Sequence, residues 1–343
     1  MISKVVALHN KGPWNCRWIA YCEENKIPHK VVNCYSTDII DQIKDCAGLM
    51  WSFNQANPHD ILMARNVLNA AELMGLKVFP DYYTNWHFDD KLSQKYLFEA
   101  LSLPVVPAWA FFERDKALEF IETCEMPIVA KLRHGAGSYN VRLLKNRSDA
   151  RTYINRMFGN GYSPAPAMFA DAVNKFRVAV DKGGIKSVIS RAKKAPNFIR
   201  ESTYGRKYFG HEKGYVYHQK FIPGNKFDVR VTVIGNRAWI FKRMVRKGDF
   251  RASGSGMFDF NTSDLPSALI VRSINIAGIL HMQSCSFDWI RDRWGNWFFV
   301  EISMGTVDEV TYCCNGYWDR ELYWHEGHFY PSIEILKDFI ENL

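Results

Sequence analysis

Two acidic residues near the end of the sequence could together bind a metal ion. Asp288 ends a predicted strand, the turn at 292–296 reverses the chain, and Glu301 lies on the returning strand. If these strands pair about the turn, both carboxylates face one cleft. Carboxylates without a basic partner in the sequence suit a hard cation such as Mg²⁺, which also takes phosphate oxygens. A solvated hairpin with surface acids is the alternative, but the apolar residues around both acids favour buried strands.

A lysine at the end of a short apolar strand could hold phosphate oxygens. The strand 127–131 ends in Lys131, and a loop with Gly135 and Gly137 follows it. Because glycine has no side chain, the amides of such a loop can approach a phosphate closely. A plain hairpin turn explains this segment equally well, and both interpretations stay open on these residues alone.

Two arginines further along the chain could supply positive charge to a reacting phosphate. Arg230 lies in the segment 228–231, and Arg251 ends the segment 247–251, which is followed by small residues. A guanidinium is always charged, and its planar fork matches phosphate geometry. We therefore expect both arginines to stabilise charge on a phosphoryl group during transfer.

The composition is that of an ordinary globular protein. The 343 residues suffice for two or three packed lobes, and 47% of them are hydrophobic. No run approaches the ~20 apolar residues of a membrane span. The short apolar start predicts a buried strand, not a signal peptide, and the eight scattered cysteines fit a reducing compartment. We therefore expect a cytoplasmic protein.

The net charge of +8 raises the question of nucleic acid. The basic residues are spread along the chain, with modest bunching at 191–194 and 242–247. Scattered positive charge around a cleft is equally what an enzyme of polyphosphates and acidic substrates needs. A basic nucleic-acid-binding protein is thus the less favoured alternative, and steep salt-dependent binding would reveal it.

The order of predicted elements indicates an α/β protein with an α+β C-terminal part. Strands alternate with helices up to about residue 85, which predicts a doubly wound lobe with a parallel sheet. Strands dominate from about 215 onward, and the stretch 155–215 is predicted to be rich in loops. We expect three lobes, at 1–86, 87–218 and 219–343. The clearest helical patterns lie at 58–74, 90–101, 114–123 and 267–282.

The order of these parts resembles the ATP-grasp superfamily, in particular a branch of carboxylate–amine ligases similar to the ribosomal-protein glutamate ligases. The resemblance covers roughly residues 88–305 and implies an ATP-grasp fold behind the N-terminal lobe. Six segments in family order carry it: 90–92, 127–131 with its glycine loop, 219–222, 228–230, 248–251, and Asp288 with 301–303.

The resemblance implies a nucleotide site built from several of these segments. Two lysines, Lys91 and Lys131, would hold the phosphates of ATP. A lid loop would run over 134–140, including His134, Gly135, Gly137 and Ser138. The hinge meeting the adenine would consist of Gln219, Lys220, Phe221 and Ile222, with Asp228 near the nucleotide or Lys91.

The resemblance also implies a metal site and two catalytic arginines. Asp288 and Glu301 would bind Mg²⁺, with two ions expected. Ser303 would complete the ligand set where the family usually has asparagine. Arg230 and Arg251 would face the γ-phosphate and an acyl-phosphate.

The implied reaction is the ADP-forming joining of a carboxylate to an amine through an acyl-phosphate. The acid, whether an amino acid, a peptide or a sugar acid, is left open, and a monomer and a homodimer fit equally. Two further alternatives remain: a small-molecule kinase that stops after phosphate transfer, and an inactive ATP-binding relative. The basic segment 191–211 is either a lid or a solvated loop.

Overall fold

The N-terminal part of the computed structural model is built on a parallel sheet; residues 5–135, 140–164 and 210–343 are described. The sheet has the order β2-β1-β3-β4. Its elements are β1 (Val6–His9), α1 (Pro13–Glu24), β2 (His29–Val32), α2 (Ile39–Ile43), β3 (Gly48–Met50), α3 (Pro58–Leu73), β4 (Lys77–Phe79) and α4 (Tyr82–Asn85). This arrangement confirms the predicted doubly wound lobe.

Helices cover both faces of this sheet. Helix α1 packs Trp14 and Trp18 into one core, while α3 packs Ala64 and Leu68 into the other. Neighbouring residues on a strand point to opposite faces, so β1 contributes to both cores. The sheet is therefore buried on both sides, and its open surface is the edge where the strands end.

The middle part is an antiparallel sheet of four strands packed on two helices. The strand order is β5-β8-β6-β7. The elements are α5 (Lys91–Ala100), β5 (Ala108–Phe111), α6 (Arg114–Thr123), β6 (Ile128–Lys131), β7 (Val141–Leu144), α7 (Arg147–Met157) and β8 (Val216–Lys220). Helix α7 continues into the stretch predicted to be rich in loops, while residues 165–209, with most of the basic segment 191–211, lie outside the described residues.

The C-terminal part is a larger antiparallel sheet, as the strand-rich sequence predicts. Its order is β13-β12-β9-β10-β14-β15, with β11 paired to β10. The elements are β9 (Phe227–Ile234), β10 (Arg237–Met244), β11 (Phe258–Asp259), α8 (Ala268–Ile279), β12 (Ser284–Arg291), β13 (Trp297–Ser303), α9 (Asp308–Tyr312), β14 (Gly316–Trp318), β15 (Trp324–Glu326) and α10 (Pro331–Glu341).

Several boundaries agree closely with the sequence patterns. Helix α6 has the predicted bounds, and Asp90 caps α5 by accepting hydrogen bonds from the amides of Leu92 and Ser93. Strands β5, β11, β14 and β15 have no counterpart among the predictions. The three predicted lobes stay a prediction, and β8 runs across the boundary after residue 218. In the described part of the chain, no helix has the length and apolarity needed to span a bilayer.

Candidate active site

A β-bulge brings the two predicted metal ligands to one place. Strands β12 and β13 pair antiparallel about the turn at 292–296, but the register shifts between Phe287 and Trp289. As a result Asp288 stands opposite two residues, Val300 and Glu301. A bulge re-aims the side chains of the longer strand. Asp288, Val300 and Glu301 all line the same cavity, so the expectation that both carboxylates share a cleft is confirmed.

Asp288 belongs to a buried network of two acids and two arginines. Asp228 and Arg230 lie two residues apart on β9 and therefore on the same face of the sheet. Arg243 of β10 stands opposite Asp228, and Asp288 of β12 stands opposite Arg230. Arg230 donates to Asp288 Oδ1 at 2.9 and 2.7 Å. Arg243 donates to both oxygens of Asp228 at 2.7 and 2.6 Å, and its Nη2 lies 2.7 Å from Asp288 Oδ2.

This network corrects one premise of the sequence interpretation, namely that the two acids have no basic partner. Burial alone would raise the pKa of Asp288, but Arg230 and Arg243 hold it below its usual value. Glu301 is much less constrained. Its side chain is 33% exposed, and its ion-pair partner among the described residues is Lys91, with 3.9 Å between Nζ and Oε2.

Lys131 is a buried cation that lacks an ion-pair partner. It ends β6, its side chain is buried, and no acid among the described residues lies within salt-bridge distance. Burial lowers its pKa to about 8, despite the attraction of Glu301 and Asp288. A buried charge is stabilised when it is paired. Lys131 is therefore suited to an anionic ligand that enters from the cavity.

The first end of the glycine loop, at Gly135, is held at the start of α5. Lys91 Nζ donates to the carbonyl of Gly135 at 2.9 Å, and the amide of Gly135 donates to Asp89 at 3.0 Å. His134 points elsewhere, with its Nδ1 2.8 Å from Glu212 Oε1, and it does not line either cavity described below. Gly137 and Ser138 lie outside the described residues.

Two adjoining cavities contain nearly all the other predicted site residues. The smaller, of about 120 Å³, lies between the middle and C-terminal sheets. Its lining includes Lys91, Lys131, Gln219, Lys220, Phe221, Ile222, Asp228, Arg251, Asp288 and Glu301. The larger cavity, of about 1090 Å³, lies between the N-terminal and C-terminal sheets, and its lining includes Arg230 and Ser303. Lys91, Gly135, Arg243 and Glu301 line both cavities.

The structure therefore separates the two predicted catalytic arginines. Arg251 lines the smaller cavity, where Asp249 holds its guanidinium with contacts of 2.9 Å. Arg230 lines the larger cavity while it is bound to Asp288. Arg251 directly precedes Ala252, which lines both cavities. Arg230 binds Asp288, which Arg243 of the shared boundary also contacts.

Several solved structures similar to this chain are ATP-grasp proteins. A RimK-domain ATP-grasp protein from Sphaerobacter thermophilus matches 98% of this chain and 99% of its own, with a TM-score of 0.55 and 14% identity. D-alanine–D-alanine ligase from Bacillus anthracis matches 98% and 97%, with a TM-score of 0.55 and 11% identity. This chain has the ATP-grasp fold. The fold implied by the sequence resemblance is thus confirmed, although no family model and no curated protein sequence matches the chain.

A third ATP-grasp structure was solved with ligands. It is a RiPP-associated ATP-grasp ligase from Chryseobacterium gregarium in complex with ADP and a leader and core peptide. It matches 99% of this chain and 96% of its own, with a TM-score of 0.55 and 12% identity. At these identities the similarity concerns the fold, and the chemistry must be argued from this chain's own residues.

The oxygen atoms in this ATP-grasp cleft fit Mg²⁺ bound together with phosphate. Mg²⁺ is usually held by one or two carboxylates, with substrate phosphates and water completing its octahedron. Asp288 and Glu301 supply two carboxylates, and no group of three or more His, Cys, Asp or Glu side chains with metal-binding geometry occurs in residues 5–135, 140–164 and 210–343. The Ser303 hydroxyl, which accepts a hydrogen bond from the amide of Gly305 at 3.1 Å, is a third oxygen nearby.

Arg243 is the main site residue that the sequence interpretation missed. It lies in the basic run 242–247, a pattern that is typical of exposed side chains. In the structure Arg243 is buried and contacts both Asp228 and Asp288. Its partner Asp228 lies fifteen residues earlier, on the neighbouring strand. The signal in the sequence was its place in the strand-like segment 238–244, in which all residues except Lys242 and Arg243 are apolar.

Proposed function

We propose that this chain is an ATP- and Mg²⁺-dependent ligase that joins a carboxylate to an amine and forms ADP. The observation that carries the proposal is the pair of adjoining cavities, which share Lys91, Arg243 and Glu301. One cavity offers cations for phosphate, and the other offers room for a second substrate. Transfer between two bound substrates needs such a shared boundary, because catalysis depends on holding the reacting groups together.

In this proposal ATP enters the smaller cavity with its adenine against the backbone of 219–222. Lys131 and Lys91 hold the phosphates, and Arg251 stabilises their charge. The cavity of about 120 Å³ is smaller than the roughly 300–1,000 Å³ typical of ligand pockets. We therefore place the terminal phosphate at the shared boundary, towards the larger cavity, with the loop 134–140 as the covering segment.

Asp288, Glu301 and Ser303 would hold Mg²⁺, which when bound withdraws charge from the phosphate oxygens. We expect two ions, as the sequence resemblance implies. Arg230 would orient the acid at the boundary, since it is fixed by Asp288 and lines the larger cavity. The carboxylate of the acid would attack the terminal phosphate in line, and an amine would then displace phosphate from the acyl-phosphate.

The comparisons support an ATP-dependent ligase. D-alanine–D-alanine ligase and the RiPP-associated ligase share this chain's fold over nearly its whole length. The cavity of about 1090 Å³ lies at the upper end of the range for ligand pockets, so it can hold more than one small amino acid. We favour an amino acid, a peptide or a sugar acid as the substrate, in a cytoplasmic setting.

The test is ADP and phosphate release from ATP and Mg²⁺ with a panel of acids and amines, together with mass spectrometry of the products. A ligase releases ADP only with a particular acid and amine, and yields a product of their condensed mass. A phosphorylated product that accumulates would instead establish a kinase. ATP binding without turnover on any pair would contradict the ligase and favour an inactive relative.

A further inference from the structure

The larger cavity reaches the point where the N-terminal sheet reverses its strand order. Strand β1 lies between β2 and β3, and the connections from β1 to β2 and from β2 to β3 leave on opposite faces of the sheet. Ligands of open α/β sheets bind in the crevice beyond the carboxyl ends of strands at such a switch point. His9, at the end of β1, and Ser52, just after β3, both line the cavity.

The N-terminus of α1 presents a free donor at this point. Its N-cap is Gly12, no side chain caps the helix, and the first turn has no acid. The amide of Trp14, a residue that lines the cavity, has no hydrogen-bond partner in the described part of the chain. The side chain of Asn15 fixes the turn, because its Oδ1 accepts from the amide of Ser52 at 2.8 Å. Helix N-termini carry partial positive charge and favour anions.

His9 adds a donor that is independent of the helix. The ring is only 1% exposed and lines the cavity, and its Nδ1 accepts a hydrogen bond from the amide of Cys34 at 3.1 Å. Burial, together with Lys11, lowers the pKa of His9 to about 4, so the ring is neutral at neutral pH. With Nδ1 as an acceptor, the proton resides on Nε2. No described residue accepts a hydrogen bond from Nε2, so this donor is unpaired.

The charges around this end of the cavity favour a negative ligand. Lys11 lines the cavity and has no ion pair with any described acid. The acids that also line it are already engaged: Asp60 accepts from the amide of Asn54 at 2.6 Å and from Asn57 Nδ2 at 2.9 Å. Asp308 and Glu309 lie 2.9 and 3.2 Å from the guanidinium of Arg17. Unpaired donors of His9, Lys11 and the N-terminus of α1 therefore line the same end of the cavity, whereas the carboxylates beside them already have partners.

We infer that His9, Lys11 and the N-terminus of α1 form an anion site for a carboxylate or a phosphate. The inference deepens the proposed function, on which it rests for the identity of the occupant. Arg230 and Glu301 line the same cavity, so a substrate bound here has a second acidic group at the reacting end. The substrate class is thus a doubly anionic acid, either dicarboxylic or phosphate-bearing, with one end anchored and the other activated.

The experiment measures binding of inorganic phosphate and of succinate to the full chain by isothermal titration calorimetry, with ADP and Mg²⁺ saturating. In Lys11→Glu the dissociation constant of the bound anion should rise at least ~10-fold, since charge-assisted hydrogen bonds are the strong ones. His9→Asn should raise it about 3-fold or more, because asparagine keeps an acceptor for the Cys34 amide but lacks the Nε2 donor. Preference for phosphate or for succinate identifies the anchored group.

Two controls separate this site from the nucleotide site. Lys44→Glu makes the same charge change at an exposed position of the same lobe, outside both cavities, and should leave anion binding unchanged. Lys131→Ala should weaken ATP but not the anion. Absence of binding by either anion to the wild type, or wild-type binding by Lys11→Glu, would overturn the inference. Lys11-dependent binding in a chain that never turns over ATP would retain the anion site and refute the ligase.

Discussion

Two charged regions of the molecule, the buried acid–arginine network and the far end of the larger cavity, differ in how their charges are satisfied. In the network, Asp228, Asp288, Arg230 and Arg243 are bound to one another before any ligand arrives. At the far end of the larger cavity, Lys11 and His9 lack such partners. The first arrangement fixes a site in place, and the second leaves its donors for a ligand.

This difference separates residues that support the fold from residues that recognise a substrate. A buried ion pair that loses one partner strongly destabilises a protein, because the other charge is left uncompensated. An exposed cation with no partner can be replaced at little cost. Substitutions in the two regions should therefore affect different quantities, and this can be measured.

The largest expected effect is on turnover, at the boundary of the two cavities. Glu301→Ala should reduce the Mg²⁺-dependent kcat for ADP release by roughly 10³-fold, since metal ligation supplies several kcal/mol of charge stabilisation in the transition state. The unfolding midpoint should stay near that of the wild type, because Glu301 is partly exposed and weakly paired. Glu326→Ala, at an exposed position of β15, is the matched control. Unchanged turnover in Glu301→Ala would remove the metal assignment.

The next effect is on stability, in the paired network. Arg243→Met should lower the free energy of unfolding by about 3–5 kcal/mol, because Asp228 then has no cation. Urea denaturation measures this, with Arg293→Met at an exposed position as the control. Adding Asp228→Asn to Arg243→Met should recover part of the loss, since Asp288 keeps Arg230. A single variant as stable as the wild type would show that the network does not support the fold.

A smaller effect concerns the pH dependence of nucleotide binding. Lys131 has a pKa of about 8 instead of its ordinary 10.5, so it is charged below pH 8 and loses its proton above it. ATP affinity should be constant near neutral pH and fall by up to ~10-fold per pH unit above 8. Stability of the nucleotide-free chain changes in the opposite sense, gaining from about pH 8 to 10.5, where the unfolded chain binds more protons.

The variant Lys131→Arg tests whether Lys131 causes this pH dependence of ATP affinity. An arginine is protonated at every accessible pH, so Lys131→Arg should bind ATP with a flatter profile across pH 7–9.5. Fluorescence titration with a nucleotide analogue at each pH measures both proteins. Parallel profiles would mean that another group governs the pH dependence.

The smallest effect tests the unpaired end of the larger cavity. Lys11→Ala should change the free energy of unfolding by less than about 0.5 kcal/mol, as expected for an exposed side chain without a partner. Urea denaturation beside Arg243→Met checks it. A loss similar to that in Arg243→Met would mean that Lys11 supports the fold, and the contrast between the buried network and this end of the cavity would fail.

Local patterns made much of the fold predictable. The pattern of 114–123 predicted α6 with its bounds, and the pattern of 90–101 predicted α5, which Asp90 caps. The turn at 292–296 predicted the pairing of β12 and β13. These signals are contained within short segments, so no tertiary information was needed to find them.

The rest depends on register, which the sequence does not display. The bulge at Asp288 and the opposition of Arg243 to Asp228 arise only when β9, β10, β12 and β13 are aligned. The larger cavity joins residues as distant as His9 and Glu309. The roles proposed for Lys91 and the hinge came from resemblance, and the role of Lys131 came from its strand and glycine loop as well. All of them stay predictions, although the smaller cavity brings these residues together.

The bulge in β13 also limits how this strand can vary in length. Val300 and Glu301 share one place opposite Asp288, so deletion of a single residue there would restore regular pairing. Side chains alternate along a regular strand, and a shift of one residue reverses every face beyond it. A shortened β13 would pair regularly with β12 but would turn the side chain of Glu301 away from its present position. Any redesign that idealises this hairpin should therefore retain the extra residue.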